Sequence, residues 1–165
     1  MTSTEIWSNT SNNPNKKCQR QGESNIDKQE AMTEGLQLIE RSNICLLGTN
    51  GEDGFPNIKA MMNAKHEGIN RMWFSTNTSS RRVQQLKKDN QACVYYVDDK
   101  DFKGLMLTGT IQILQDLKSR QMLWSDGDER YYPLGVEDPD YSVLCFTAHR
   151  GNYYHKLKNI TFEIG

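Results

Sequence analysis

The residues best suited to chemistry lie in one segment, Arg71-Met72-Trp73-Phe74-Ser75-Thr76-Asn77-Thr78-Ser79-Ser80-Arg81-Arg82-Val83. An apolar stretch of strand composition runs into a series of hydroxyl and amide side chains, and two arginines then fall in the first turn of a predicted helix. Cations at a helix N-terminus oppose its dipole and cost about 0.3–1 kcal/mol each at exposed sites. The sign reverses if an anion is held there. Free backbone N–H groups, Ser and Thr hydroxyls and two guanidinium forks meeting at one helix start are the donors a phosphate group takes. The same spacing is also met by a plain cap, in which Ser79 or Thr78 bonds the first turn and both arginines point to solvent. Spacing alone leaves both arrangements open.

Other chemistries find little support. His66, His149 and His155 show no metal-ligand spacing, so no metal site is expected. A Gly-x-Ser-x-Gly elbow and a P-loop are both absent, and no side chain stands out as an obligatory acid, base or nucleophile, so no catalytic residue is assigned. Cys18, Cys45, Cys93 and Cys145 form no Cys-x-x-Cys pair, and the last three sit in apolar runs, which reads as buried thiols in a reducing compartment. The tyrosine pairs 95–96, 131–132 and 153–154 are expected to place one ring inward and one outward.

Around the central segment the pattern sets out mostly short strands. Met32, Leu36, Leu38 and Ile39 mark a helix between Asp27 and Ser42. A strand over 44–49 meets Asn50-Gly51-Glu52-Asp53-Gly54, which holds two strong hairpin signals, and returns over 56–65. A turn at 66–68 precedes a strand over 71–76. Helical spacing over 79–89 puts Val83 and Leu86 inward and Arg82, Gln85, Lys87 and Lys88 largely outward. Strands over 92–97 and 105–114 follow, then a helix capped by Asp116 that carries Leu117, Leu123 and Trp124. Three closing strands are expected near 142–147, 153–157 and 160–164. Hairpin-linked strands with three short helices imply a mainly β fold, an antiparallel barrel with helices packed outside. The short connections after Thr49, Lys65 and Val97 disfavour a doubly wound parallel sheet.

The chain has 165 residues, 36% apolar and 25% charged, with a net charge of −1 and a sequence pI near 6.3. That balance excludes a general nucleic-acid binder, which needs a clear basic excess. No apolar run approaches the roughly 18 residues that span a bilayer, and the start has no apolar leader, so a cytoplasmic protein without membrane association is expected. The mean hydropathy of −0.77 is concentrated at one end. Residues 1–29 hold five apolar side chains against fifteen Ser, Thr, Asn and Gln, and are expected to form a disordered polar tail before one domain over 30–165. That domain holds sixteen Lys and Arg against eighteen Asp and Glu, so the tail is not a basic arm.

The central segment resembles the flavin-phosphate loop of the pyridoxamine 5'-phosphate oxidase-like split barrels, in which a strand ends in Tyr-Thr-Asn and a helix begins with Ser-Arg-Lys. The matching residues are Ser75-Thr76-Asn77 and Ser80-Arg81-Arg82. The hairpin Asp53-Gly54-Phe55-Pro56 followed by Asn57-Ile58-Lys59-Ala60-Met61-Met62 matches the family's Gly-x-Pro turn and the strand beside the flavin ring, with Lys59 where the family has arginine. Leu123-Trp124 and the run from Tyr132-Pro133-Leu134-Gly135 to Pro139 resemble the general stress protein 26 branch.

The resemblance implies an FMN-binding split barrel. Ser75, Thr76, Ser80, Arg81 and Arg82 would hold the flavin phosphate side, and Lys59, Ala60, Met61 and Met62 would line the isoalloxazine. A cation such as Lys59 near the pyrimidine end would raise the flavin's reduction potential. Trp124 would either cover the flavin face or pack in the core or dimer contact. The family also implies a homodimer with FMN between subunits and an oxidoreductase exchanging hydride at flavin N5 with a small molecule or NAD(P)H. The alternative is a non-catalytic module that stores flavin or another phosphorylated or tetrapyrrole ligand. The Arg-Pro…Ser-Gln pattern of true pyridoxamine phosphate oxidases is missing from 119–127, and Gly104 stands where they carry glutamine, so vitamin B6 oxidation is the least favoured reading.

Overall fold

The structure, a computed structural model, describes residues 27–165; the expected disordered tail falls on 1–26, outside the described residues, apart from its last three positions. Those positions belong to the folded body. Asp27 caps helix α1 (Lys28–Arg41), its carboxylate accepting the Glu30 N–H at 2.8 Å. The buried stripe of α1 is Ala31, Gly35, Leu38 and Ile39, whereas Met32 and Leu36 are only partly covered. Gly35 allows this: a Cβ there would sit 3.2 Å from a Leu105 methyl, so the small residues mark where the helix lies closest to the sheet.

The sheet follows from alternation. In β1 (Ile44–Asn50) Cys45, Leu47 and Thr49 are buried. The hairpin at 51–55 returns the chain as β2 (Pro56–Met62), shorter than predicted. Asn63 leaves the ladder, its side-chain amide donating to the Ile39 and Ser42 carbonyls at the end of α1. Residues Lys65–Glu67 instead form β3, paired with β4 (Arg71–Asn77), and the expected turn moves to 68–70. Helix α2 (Arg81–Lys88), β5 (Gln91–Asp98), β6 (Lys103–Leu114) and α3 (Leu117–Leu123) come next. Of the three closing strands expected, the first two are one, β7 (Tyr141–His155), and the third is β8 (Lys158–Glu163). Lys156 and Leu157, both with positive φ, make the two-residue turn between them, so the expected strand through Leu157 ends at His155.

All pairings are antiparallel, in the order β2-β1-β5-β6-β7-β4-β3, with β8 on the other half of the β7 edge that β4 uses. The sheet is an open barrel: β2 and β4 face each other across a gap without ladder hydrogen bonds. Its interior is filled by Leu47, Met72, Phe74, Val94, Tyr96, Leu105, Leu107 and Phe146. Each such side chain contributes about 1.5–3 kcal/mol on burial. The three tyrosine pairs divide as expected, Tyr96, Tyr132 and Tyr153 buried and their neighbours more exposed. No helix among the described residues is long and apolar enough to cross a membrane.

The β6–β7 register slips between Thr108 and Gly109, and a Cβ on Gly109 would collide with the Thr147 carbonyl. Gly109→Ala is therefore expected to destabilise the fold by about 3 kcal/mol, read from its urea midpoint, because backbone must move to admit one methyl.

Candidate functional site

The barrel's unclosed side forms a cleft of about 600 Å³, within the range of about 300–1,000 Å³ usual for small-molecule sites. One wall is Ala60, Met61 and Met62 on β2, the other Ser75, Thr76 and Asn77 on β4, and Tyr131 and Tyr132 from the segment after α3 flank the opening. Ser80 and Arg82 lie at its end and are shared with a smaller adjoining cavity of about 110 Å³, which Lys59 and Arg81 also line. The expected site residues are thus brought together in two groups. Lys59 belongs to the small cationic cavity with the arginines and not to the cleft wall of Ala60 to Met62. Trp124 lines neither. It ends α3 and packs at 5.3 Å, edge to face, on the Tyr141 ring and at 6.2 Å from Tyr132, in a second core with Leu123 and Val143.

Ser80 is the cap of α2: its hydroxyl oxygen accepts the Val83 N–H at 3.3 Å, which leaves the hydroxyl proton free to donate. Arg81 and Arg82 occupy the first two helical positions, and the first turn holds no acid. Arg81 is exposed and reaches Asp53 of the hairpin only at 3.5 Å, a contact of small worth. Arg82 is half-buried and donates to the Thr76 hydroxyl at 3.3 Å. Burial pushes its guanidinium below the ordinary value, the direction expected of a cation with no counter-charge, although an arginine stays protonated throughout. Among the described residues neither Arg82 nor Lys59 has a carboxylate within ion-pair distance.

The loop before α2 is held from a distance. Asp140 accepts the Asn77 amide at 2.8 Å, the Ser79 N–H at 2.7 Å and the Ser79 hydroxyl at 3.1 Å, while its carbonyl takes the Thr78 N–H at 2.7 Å. The Thr78 hydroxyl meets the Pro139 carbonyl and Ser142. Thr78 and Ser79 are therefore spent on this clamp and do not cap the helix. These bonds, that from Asn77 foremost, hold the Asp140 carboxyl below its ordinary value. A depressed carboxylate stabilises the fold fully above its unfolded value of about 3.9 and loses that contribution as pH falls through the lower folded value. Asp140→Ala is expected to be less stable than wild type at pH 7, with the difference vanishing as an acid titration passes below about pH 3.9.

Gln85 corrects the helix reading. Expected outward, it is 3% exposed, because Thr49 of β1 reaches it and donates its hydroxyl to Oε1 at 2.9 Å. Gly104 lies under the Tyr95 phenol, so a side chain at this position, such as the family glutamine, would require that ring to move aside. Burial raises the Cys45 thiol to about 11, so it stays protonated and inert, and no cluster of His, Cys, Asp and Glu among the described residues is arranged for a metal.

An open antiparallel barrel whose unclosed edge holds a cleft ending at a helix start, where Arg82 lacks a carboxylate partner, defines a split-barrel protein. Within that class the chain belongs to the pyridoxamine 5'-phosphate oxidase-like family, whose model matches residues 30–164. It is 61% identical to a Clostridium acetobutylicum protein related to general stress protein 26, of the pyridoxinephosphate oxidase family, over 81% of this chain and 94% of that one, with a TM-score of 0.74. General stress protein 26 of Bacillus anthracis shares the fold at 18% identity over 79% of this chain and 98% of that one, TM-score 0.65. A heme binding protein of Mycobacterium smegmatis does so at 15% identity, over 81% of this chain and 57% of that one, TM-score 0.66. No curated protein matches the chain.

Proposed function

We propose that the protein is a homodimeric FMN-binding flavoprotein of the general stress protein 26 type, acting as an oxidoreductase. The observation that carries this reading is the half-buried Arg82, with Lys59 and Arg81 beside it, at a helix start that holds no acid. Such an arrangement is costly empty and favourable around a phosphomonoester. FMN fits this donor set: its phosphate has oxygens for the three cations, the Ser80 hydroxyl and the free helix N–H groups, and the cleft offers Ala60, Met61, Met62 and Tyr132 to an apolar ring. When bound, FMN supplies a two-electron carrier that exchanges hydride at N5. The chain's residues orient it, exclude water and set the charge around it.

The dimer proposal rests on an apolar sheet face. Ile44 and Leu46 of β1, Ile58 and Met62 of β2, Val97 of β5 and Met106 of β6 are all more than a third exposed, and the strand registers place them on one side. Ala60 and Met62 belong to both this face and the cleft, so a second subunit would cover the flavin.

The Tyr132 phenol, pushed up to about 12 by burial, stays neutral in the cleft and supplies no acid or base near pH 7. A second reading is that the protein holds the cofactor without turnover. Both predict a yellow protein from which acid releases a compound with the mass of FMN. Anaerobic addition of NADH or NADPH separates them: bleaching of the flavin band identifies a reductase, and a persistent oxidised spectrum supports storage. A colourless protein that takes up no added FMN defeats both.

A further inference from the structure

Resting on the flavin-phosphate reading above, we infer that Gln85 is a ligand of the phosphoryl group, donating its amide N–H to a terminal phosphate oxygen from the floor of the small cavity. Gln85 is 3% exposed, and its Nε2 has no hydrogen-bond partner. A buried donor left unpaired is destabilising, and native proteins rarely keep one without cause. With the Thr49 hydroxyl donating to Oε1 at 2.9 Å, the amide nitrogen is the end left over. Gln85 and Arg82 are three apart on α2 and share one helix face. Both line the 110 Å³ cavity that Lys59, Ser80 and Arg81 also reach.

The chemistry of the walls defines the occupant. Three cations carry donors and no acceptor, the Ser80 oxygen is already engaged by Val83, and the Gln85 nitrogen adds another donor. The occupant these walls suit is an acceptor with several oxygens and negative charge. A water molecule would pair the amide and leave Lys59 and Arg82 uncompensated. The cavity has room for a tetrahedral oxyanion and not for an isoalloxazine, which assigns it to the phosphate end and leaves the larger cleft to the ring. A neutral donor held by Thr49 adds direction without adding charge.

The test compares FMN, riboflavin and inorganic phosphate binding to the full chain and to Gln85→Met, which keeps the volume and removes the donor. Gln85→Met is expected to bind FMN about 10- to 100-fold more weakly, the usual worth of a hydrogen bond to a charged group. Riboflavin affinity should stay within about twofold, since riboflavin lacks the phosphate that the bond serves. Gln85→Glu, which brings a carboxylate to the anion, should lose more, and Thr49→Val, which frees the amide to turn, should lose less. Gln85→Met also takes the acceptor from the buried Thr49 hydroxyl, so the ligand-free variant should melt somewhat below wild type, and the loss specific to FMN over riboflavin is the readout that a purely structural glutamine would not give. FMN affinity unchanged in Gln85→Met, or FMN and riboflavin weakened alike in Gln85→Met and Gln85→Glu, overturns the inference. If wild type binds FMN no more tightly than riboflavin, the phosphate reading itself fails. Inorganic phosphate binding the wild type and Gln85→Met equally tightly would also overturn the inference.

Discussion

Replacing Arg81 and Arg82 together by alanine is expected to lower FMN affinity by about a thousandfold and to give a folded, colourless protein, at about 1.5–3 kcal/mol for each hydrogen bond to a charged group. The two contributions are unequal. Arg82 is half-buried, lacks a carboxylate partner and is steadied by the Thr76 hydroxyl, so an anion meets it in a weakly screened setting. Arg81 is exposed to solvent and shares its charge with Asp53 at 3.5 Å, so its single replacement should cost about tenfold or less. The fold does not depend on either. Removing two cations from a helix start relieves an unfavourable dipole interaction, and the ligand-free double variant should melt at or slightly above the wild-type temperature. Absorbance after desalting measures retained flavin, and riboflavin binding serves as the control for the ring cleft. Stoichiometric FMN retained by the double variant would remove the phosphate from this end of the molecule.

The elements around those arginines were legible because each announces itself locally. Asn50-Gly51 and Asp53-Gly54 mark the hairpin, and Val83 with Leu86 marks the inward side of α2. Ser80-Arg81-Arg82 sits at the helix start that its composition required. What the sequence concealed depends on partners far along the chain. Gln85 flanks the apolar stripe and reads as surface until β1 brings Thr49, 36 residues away, against it. Asp140 carries no local mark of its task, since the loop it clamps lies 61 to 63 residues upstream. The unbroken β7 was hidden because Ala148 to Asn152 lack alternating apolar residues; β6 on one edge and β8 on the other hold the backbone extended there. Lys59 and Ala60 are adjacent in sequence and read as one flavin-ring wall, yet alternation along β2 sends them to opposite faces, Lys59 to the cationic cavity and Ala60 to the cleft. Trp124 shows the converse. At the end of α3 a tryptophan suits a cofactor face or a core equally well, and the rings it packs on within the chain, Tyr132 and Tyr141, come from residues further along.

Charging the apolar sheet face with Leu46→Glu and Ile58→Glu is expected to convert a dimer into monomers and to take most of the FMN with it. Neither residue lines the cleft, so any loss of flavin would pass through the partner subunit. Leu46 pairs with Ala60 on one side and Tyr95 on the other, inside the face, and Ile58 pairs with Gly48 on the edge strand β2, at its border. A carboxylate buried there unpaired would cost several kcal/mol in each of two symmetry-related copies, enough to weaken association by about a thousandfold or more. The same carboxylates in a monomer stay in water and cost little, so the variant should melt as a folded chain. Leu157→Glu is the matched control: Leu157 is 86% exposed at the β7–β8 turn and belongs to none of the strands that carry that face, and charging it should leave mass and flavin content alone. Sedimentation of wild type and variants, with flavin absorbance followed across the same boundary, reads both quantities at once. A wild-type monomer that carries its full FMN would sink the proposal that a second subunit completes the site, and a variant that stays dimeric would move the interface elsewhere.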